Sequence, residues 1–134
     1  MNFRRVIHIL GLVLFVLSGA QLVPLLWCFA PFDVESATGL LAGSGFTVAL
    51  GVVLRSLGRE GGELYRREGV LVVVGAWLLA SLGGAVPYWV SGAIPGFVDA
   101  LFESVSGFTT TGASILTDIE SMPRPLLFWR SLTQ

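Results

Sequence analysis

Residues 97–114 read Phe97-Val98-Asp99-Ala100-Leu101-Phe102-Glu103-Ser104-Val105-Ser106-Gly107-Phe108-Thr109-Thr110-Thr111-Gly112-Ala113-Ser114, and this stretch decides the fold. Positions 97, 98, 101, 102, 105 and 108 are apolar, the spacing of one helix face. A helix of that length, at about 1.5 Å per residue, covers roughly half of a bilayer core about 30 Å thick. Residues 109–114 then hold no apolar helix former until Ile115. The pattern predicts a short helix that enters a membrane and hands over to polar, irregular main chain. Such backbone persists at membrane depth only where protein or water satisfies it, so a lined cavity is implied.

The surrounding chain supplies the membrane. Of its 134 residues 54% are hydrophobic and 13% charged, and the mean hydropathy is +0.80. Soluble domains are about a quarter charged. Residues 6–32, 36–54 and 69–98 carry no Asp, Glu, Lys or Arg, and each run is long enough to cross as a helix, which takes about 20 apolar residues. Three spans are expected, at 6–29, 37–54 and 69–90. Pro24 is placed to kink the first span, and Trp27 to anchor it at an interface. Arg4 and Arg5 precede an apolar stretch with Ser18-Gly19-Ala20, which resembles a signal-peptide cleavage site. The apolar run continues through Phe29, however, and the reading adopted is a retained helix. Gly39 and Gly43 form a small-xxx-small pair, expected to let helices pack closely within one subunit. Gly83, Gly84 and Pro87 predict close packing and a bend in the third span, with Tyr88 and Trp89 at its outer interface.

Charge sets the orientation. The arginines stand at 4, 5, 55, 59, 66, 67, 124 and 130, and lysine is absent. Basic loops stay cytoplasmic and acids count little, so the N-terminus and the 55–68 loop are expected inside. The turn 31–35, with Asp33 and Glu35, is expected outside. Glu60, Glu63 and Glu68 interrupt the bases of the inner loop, which excludes a nucleic-acid surface. A single cysteine, Cys28, excludes an intrachain disulfide and a multi-cysteine metal site.

Residues 109–113 suit a dehydrated cation. Consecutive carbonyls aimed at one axis replace its water shell, and threonine hydroxyls add further oxygens. Gly112 permits backbone angles that a Cβ resists. The short helix also points its negative dipole end toward the bilayer centre. Asp99 and Glu103, four apart on that helix, read either as dipole-stabilising acids or as an outer attraction for cations. Gly107 to Ser114 matches a phosphate-loop spacing, but Ala113 stands where that loop needs lysine. His8, near a helix end, is expected to be interfacial rather than a ligand. No catalytic constellation is present in the pattern.

Residues 100–113, with Phe128-Trp129-Arg130-Ser131-Leu132-Thr133-Gln134 as the start of a following helix, resemble the first pore loop of the TrkH/KtrB/HKT superfamily of potassium transporters. The two spans ahead of the first helix–pore–helix unit favour the TrkH branch. The resemblance implies a filter lined by the carbonyls of Thr110, Thr111 and Gly112, with Thr109 beneath and Ala113 beyond. It also implies four such units per chain, a homodimer, and a cytosolic TrkA-type regulatory subunit that binds nucleotides. Potassium is then the transported ligand, and no cofactor is expected in this chain. Ala113-Ser114 stands where potassium channels have tyrosine and glycine, which leaves potassium against sodium open. A sodium-coupled or sodium-permeable relative and a non-conducting scaffold remain as alternatives.

The expected fold is thus an all-α membrane protein, with a two-helix portion at 1–68 and a helix–re-entrant loop–helix unit at 69–134. Residues 126–134 reach roughly 14 Å as a helix, too short to span. The chain is therefore read as a fragment that should not conduct alone, in the inner membrane of a bacterial cell.

Overall fold

The computed structural model describes residues 2–29, 33–61 and 65–134. Five helices follow one another: α1 (Phe3–Leu22), α2 (Val34–Leu57), α3 (Arg66–Val90), α4 (Phe97–Phe108) and α5 (Arg124–Thr133). A 3₁₀ turn at Val23–Trp27 extends α1, with Pro24 in its first positions. The disturbance expected at Pro24 is therefore a change of helix type, because proline lacks the N–H that an α-helix would use there. The three long helices are apolar enough to cross a membrane, and each starts three residues before its expected position. Polar and charged residues cap these ends. Asp33 accepts from the Ser36 amide at 3.0 Å, and Glu68 accepts from the amides of Tyr65 and Asn2. Pro31 and Phe32 of the expected outer turn, and Glu63 of the basic loop, lie outside the described residues.

The long helices form an inside-out bundle. Val16, Val53, Val70, Val73 and Leu78 are at least half exposed, whereas Gln21, Ser36, Thr47, Glu68 and Glu103 are buried. Apolar surface on the outside suits lipid, and polar groups pair with one another within. Gln21 donates to the Gly83 carbonyl at 2.9 Å, and the Ser18 and Ser44 hydroxyls meet at 2.7 Å. Small residues make this closeness possible. A Cβ on Gly39 would lie 2.5 Å from the Pro87 carbonyl, and one on Gly43 would lie 2.7 Å from the Pro87 ring. The small-xxx-small pair thus packs α2 against α3 inside one subunit.

One end of the bundle gathers the N-terminus of α1, the C-terminus of α2 and the start of α3. Arg59 donates its amide to the Arg4 carbonyl at 3.1 Å, and His8 Nε2 lies 3.3 Å from Glu60. At the other end Trp27 stacks on Phe128 of α5, ring centroids 4.1 Å apart. Tyr88 and Trp89 part company there. Trp89 is 48% exposed and meets Phe97 edge-on, while Tyr88 is 1% exposed in the core. Successive helical residues differ by about 100° in direction, so neighbours rarely share an interface.

Candidate functional site

Helix α4 runs back along α3. The Ser104 hydroxyl donates to the Ser81 carbonyl at 2.7 Å, and Thr109 shares a groove with Trp77, Leu78 and Ser81. Those residues lie at the middle of α3. Helix α4 therefore ends level with the middle of α3. Glycine again sets the distance, because a Cβ on Gly84 would lie 2.6 Å from both Phe108 and Ser104. Helix α5 descends parallel to α4. The Trp129 indole donates to the Gly84 carbonyl at 3.1 Å, and a Cβ on Gly107 would meet Thr133 at 2.7 Å.

Helix α4 stops at Phe108 through a turn of defined geometry. The Thr110 amide donates to the Gly107 carbonyl at 2.9 Å, and the Thr111 amide to the Ser106 carbonyl at 3.0 Å. This pair of bonds is a Schellman motif, whose left-handed position usually holds glycine. Here it holds Thr110, with φ of 55°. A β-branched residue at such an angle is a backbone outlier, and outliers of this kind cluster at functional sites. Gly112 follows with φ of 74°, and these two left-handed residues turn the chain around.

The chain then climbs back along the face of α4 it has just left. Ser106 Oγ donates to the Ala113 carbonyl at 2.5 Å. One level higher, Glu103 accepts from the Ser114 hydroxyl at 3.0 Å and the Ile115 amide at 3.2 Å. Residues 109–113 are exposed. Among the described residues no protein group donates to the carbonyls of Thr110, Thr111 or Gly112. The Thr109 and Thr111 hydroxyls meet at 2.7 Å beside them. The carbonyls of Thr110, Thr111 and Gly112 are thus left without a donor among the described residues, on a limb that starts level with the middle of α3.

The sequence-derived residues therefore fall into three groups. Thr109, Thr110, Thr111 and Gly112 form the exposed limb. Ala113 belongs to the same limb, but its carbonyl is taken by Ser106. Asp99 and Glu103 separate: Asp99 lies exposed in the first turn of α4, whereas Glu103 is 2% exposed, its carboxylate facing Arg130 Nε at 2.5 Å. With Arg130, Ser114 and Ile115 all donating to it, both oxygens of that carboxylate are engaged within the protein. Sequence reasoning gave no individual role to Arg130, Ser106 or Ser114. A usable signal was present for the first, since an arginine that becomes buried needs an acid, and Glu103 is the acid on the face of α4 opposite its apolar positions, among Ala100, Ser104, Ser106 and Gly107. Among the described residues no cluster of His, Cys, Asp and Glu is arranged to hold a metal ion.

The profile of the TrkH family, described as "Cation transport protein", matches residues 38–134. The chain is similar to the Trk system potassium uptake protein TrkH of Salmonella typhimurium, 38% identical over all of this chain and 28% of that protein. The same-named protein of Halomonas elongata is 34% identical over the same shares. An uncharacterized cation transporter of Methanocaldococcus jannaschii is 31% identical over 99% of this chain and 28% of its own length. The chain thus spans about 28% of the length of these relatives.

Proposed function

The chain belongs to the TrkH family of cation transport proteins, and on that premise we propose that it supplies one wall of a potassium-uptake pore. Residues 69–134 are the first helix–pore loop–helix unit of that pore, and residues 1–68 are the helical pair that buttresses it. Potassium passes inward along the carbonyls of Thr110, Thr111 and Gly112, with Thr109 at the inner mouth. The membrane potential contributes about 2.3 kcal/mol per charge at 100 mV. The observation that carries this reading is the row of undonated carbonyls at the level of Trp77 and Leu78.

The arginine-rich end of the bundle supports a cytoplasmic N-terminus in the inner membrane of a bacterial cell. The complete protein works as a homodimer, with a cytosolic TrkA-type nucleotide-binding subunit as its regulator. Both assignments extend the family resemblance to this chain.

Gly112 provides the test. A Cβ there meets nothing within 4 Å, yet φ is 74°, so the obstacle to a side chain is conformational and not steric crowding. In the full-length protein, Gly112→Val is expected to abolish growth of a potassium-uptake-deficient strain on limiting potassium. Normal growth, with the variant present in the membrane, would defeat the assignment. Sodium competition in the same flux assay distinguishes a sodium-permeable relative.

A further inference from the structure

The limb that carries the free carbonyls is held from behind by one face of α4. Ser106 acts on both sides of Gly112: its carbonyl accepts from the Thr111 amide at 3.0 Å, and its hydroxyl donates to the Ala113 carbonyl. Glu103, one turn earlier, holds the next two residues through the Ser114 hydroxyl and the Ile115 amide. Residues 111–115 are thereby laid along α4 by two side chains spaced i and i+3, which share a helix face.

Glu103 cannot hold that position alone. A carboxylate with no exposed side-chain surface pays a large desolvation penalty unless it is paired and hydrogen-bonded. Arg130 of α5 supplies the pairing, its Nε donating at 2.5 Å. The reverse also holds. Arg130 shares the Glu103 carboxylate with Ser114 and Ile115 of the limb that carries those carbonyls, and its charge would oppose a cation there unless Glu103 neutralised it. The pair links three parts of the chain: the pore helix, the returning limb and the descending α5.

We propose that Glu103, held by Arg130, is a positioning residue that sets ion selectivity by fixing Ser114 and Ile115 and hence the spacing of the Thr110–Gly112 carbonyls. Its carboxylate does not touch the ion. It determines how far the outer end of the limb can relax toward a smaller or larger cation. The inference rests on the potassium-pore reading above and assigns the determinant of selectivity within it.

The experiment compares Ser114→Ala and the double variant Glu103→Gln/Arg130→Gln with the parent in the full-length transporter. The amount of each protein in the membrane is quantified, and uptake of potassium and sodium is measured over a range of concentrations. The double variant removes both charges together, so no unpaired ion is left buried. Discrimination between potassium and sodium should fall about tenfold in the double variant, equivalent to about 1.4 kcal/mol. A smaller fall is expected in Ser114→Ala. The apparent KM for potassium should rise while the maximum rate per transporter stays near that of the parent. Variants that differ only in abundance, with KM and discrimination unchanged, would overturn the proposal. If the double variant fails to accumulate, unchanged selectivity in Ser114→Ala overturns it equally. A parent that takes up no potassium would instead refute the pore reading itself.

Discussion

Thr110 and Gly112 both occupy the left-handed region, but for different reasons and with different consequences. Thr110 ends a helix where glycine is the usual residue, and its left-handed backbone costs roughly 1–2 kcal/mol. The surrounding bonds from the Thr110 and Thr111 amides hold it there. Replacing it with glycine removes the strain but adds backbone entropy to be lost on folding, about 0.5–1 kcal/mol. The two nearly cancel. Thr110→Gly is therefore expected to leave thermal stability of the full-length protein in detergent within about 1 kcal/mol of the parent. A loss well beyond that would mean that the threonine side chain, and not its backbone, secures the turn.

The elements are arranged by glycine more than by bulk. Between α2 and α3, the Cβ of an alanine at 39 would meet the Pro87 carbonyl oxygen, which cannot rotate away as a side chain can. At Gly45, six residues along the same helix, a Cβ meets nothing within 4 Å. Gly39→Ala should therefore destabilise the protein by about 1–3 kcal/mol, as overpacking does. Gly45→Ala should be neutral or slightly stabilising, since alanine is the better helix former. Thermal unfolding of the two variants in detergent checks the pair, and equal effects would contradict this account of the α2–α3 contact. The seam is also polar. Gln21 and Thr47 are fully buried between the helices, and interhelical bonds of this kind are worth about 1 kcal/mol in lipid.

For the whole molecule, the two ends of the bundle make opposite predictions. Arg59 and the N-terminus meet at one end, and Asp99 lies at the other, where α4 begins. A single cysteine placed at Arg59 should react with a membrane-impermeant thiol reagent only from the cytoplasmic side. One placed at Asp99 should react only from outside. Both are made in a Cys28→Ser background, and labelling of intact cells against inverted vesicles reads the result. Labelling of both positions from one side would overturn the orientation. Exposed valines and leucines around α1–α3 also leave the bundle with surface for lipid or further chain, as a membrane subunit requires.

The membrane class, the number of spans and the limits of α4 were legible in the amino-acid order because they depend on local composition and on a repeat of about 3.6 residues. The handover at Phe108 was legible for the same reason, since Thr109–Ser114 offers no apolar face to continue the helix. Gly39 and Gly43 marked a close contact but did not identify Pro87 as its partner. The role of Glu103 was decided only by tertiary structure. Its partners lie 11, 12 and 27 residues away in sequence, and the cost of burying a charge depends on which groups the fold brings to it. Local periodicity carries no record of such long-range pairing. Neither does it show that Ser106 takes the Ala113 carbonyl, which depends on the chain reversing at Thr110 and Gly112.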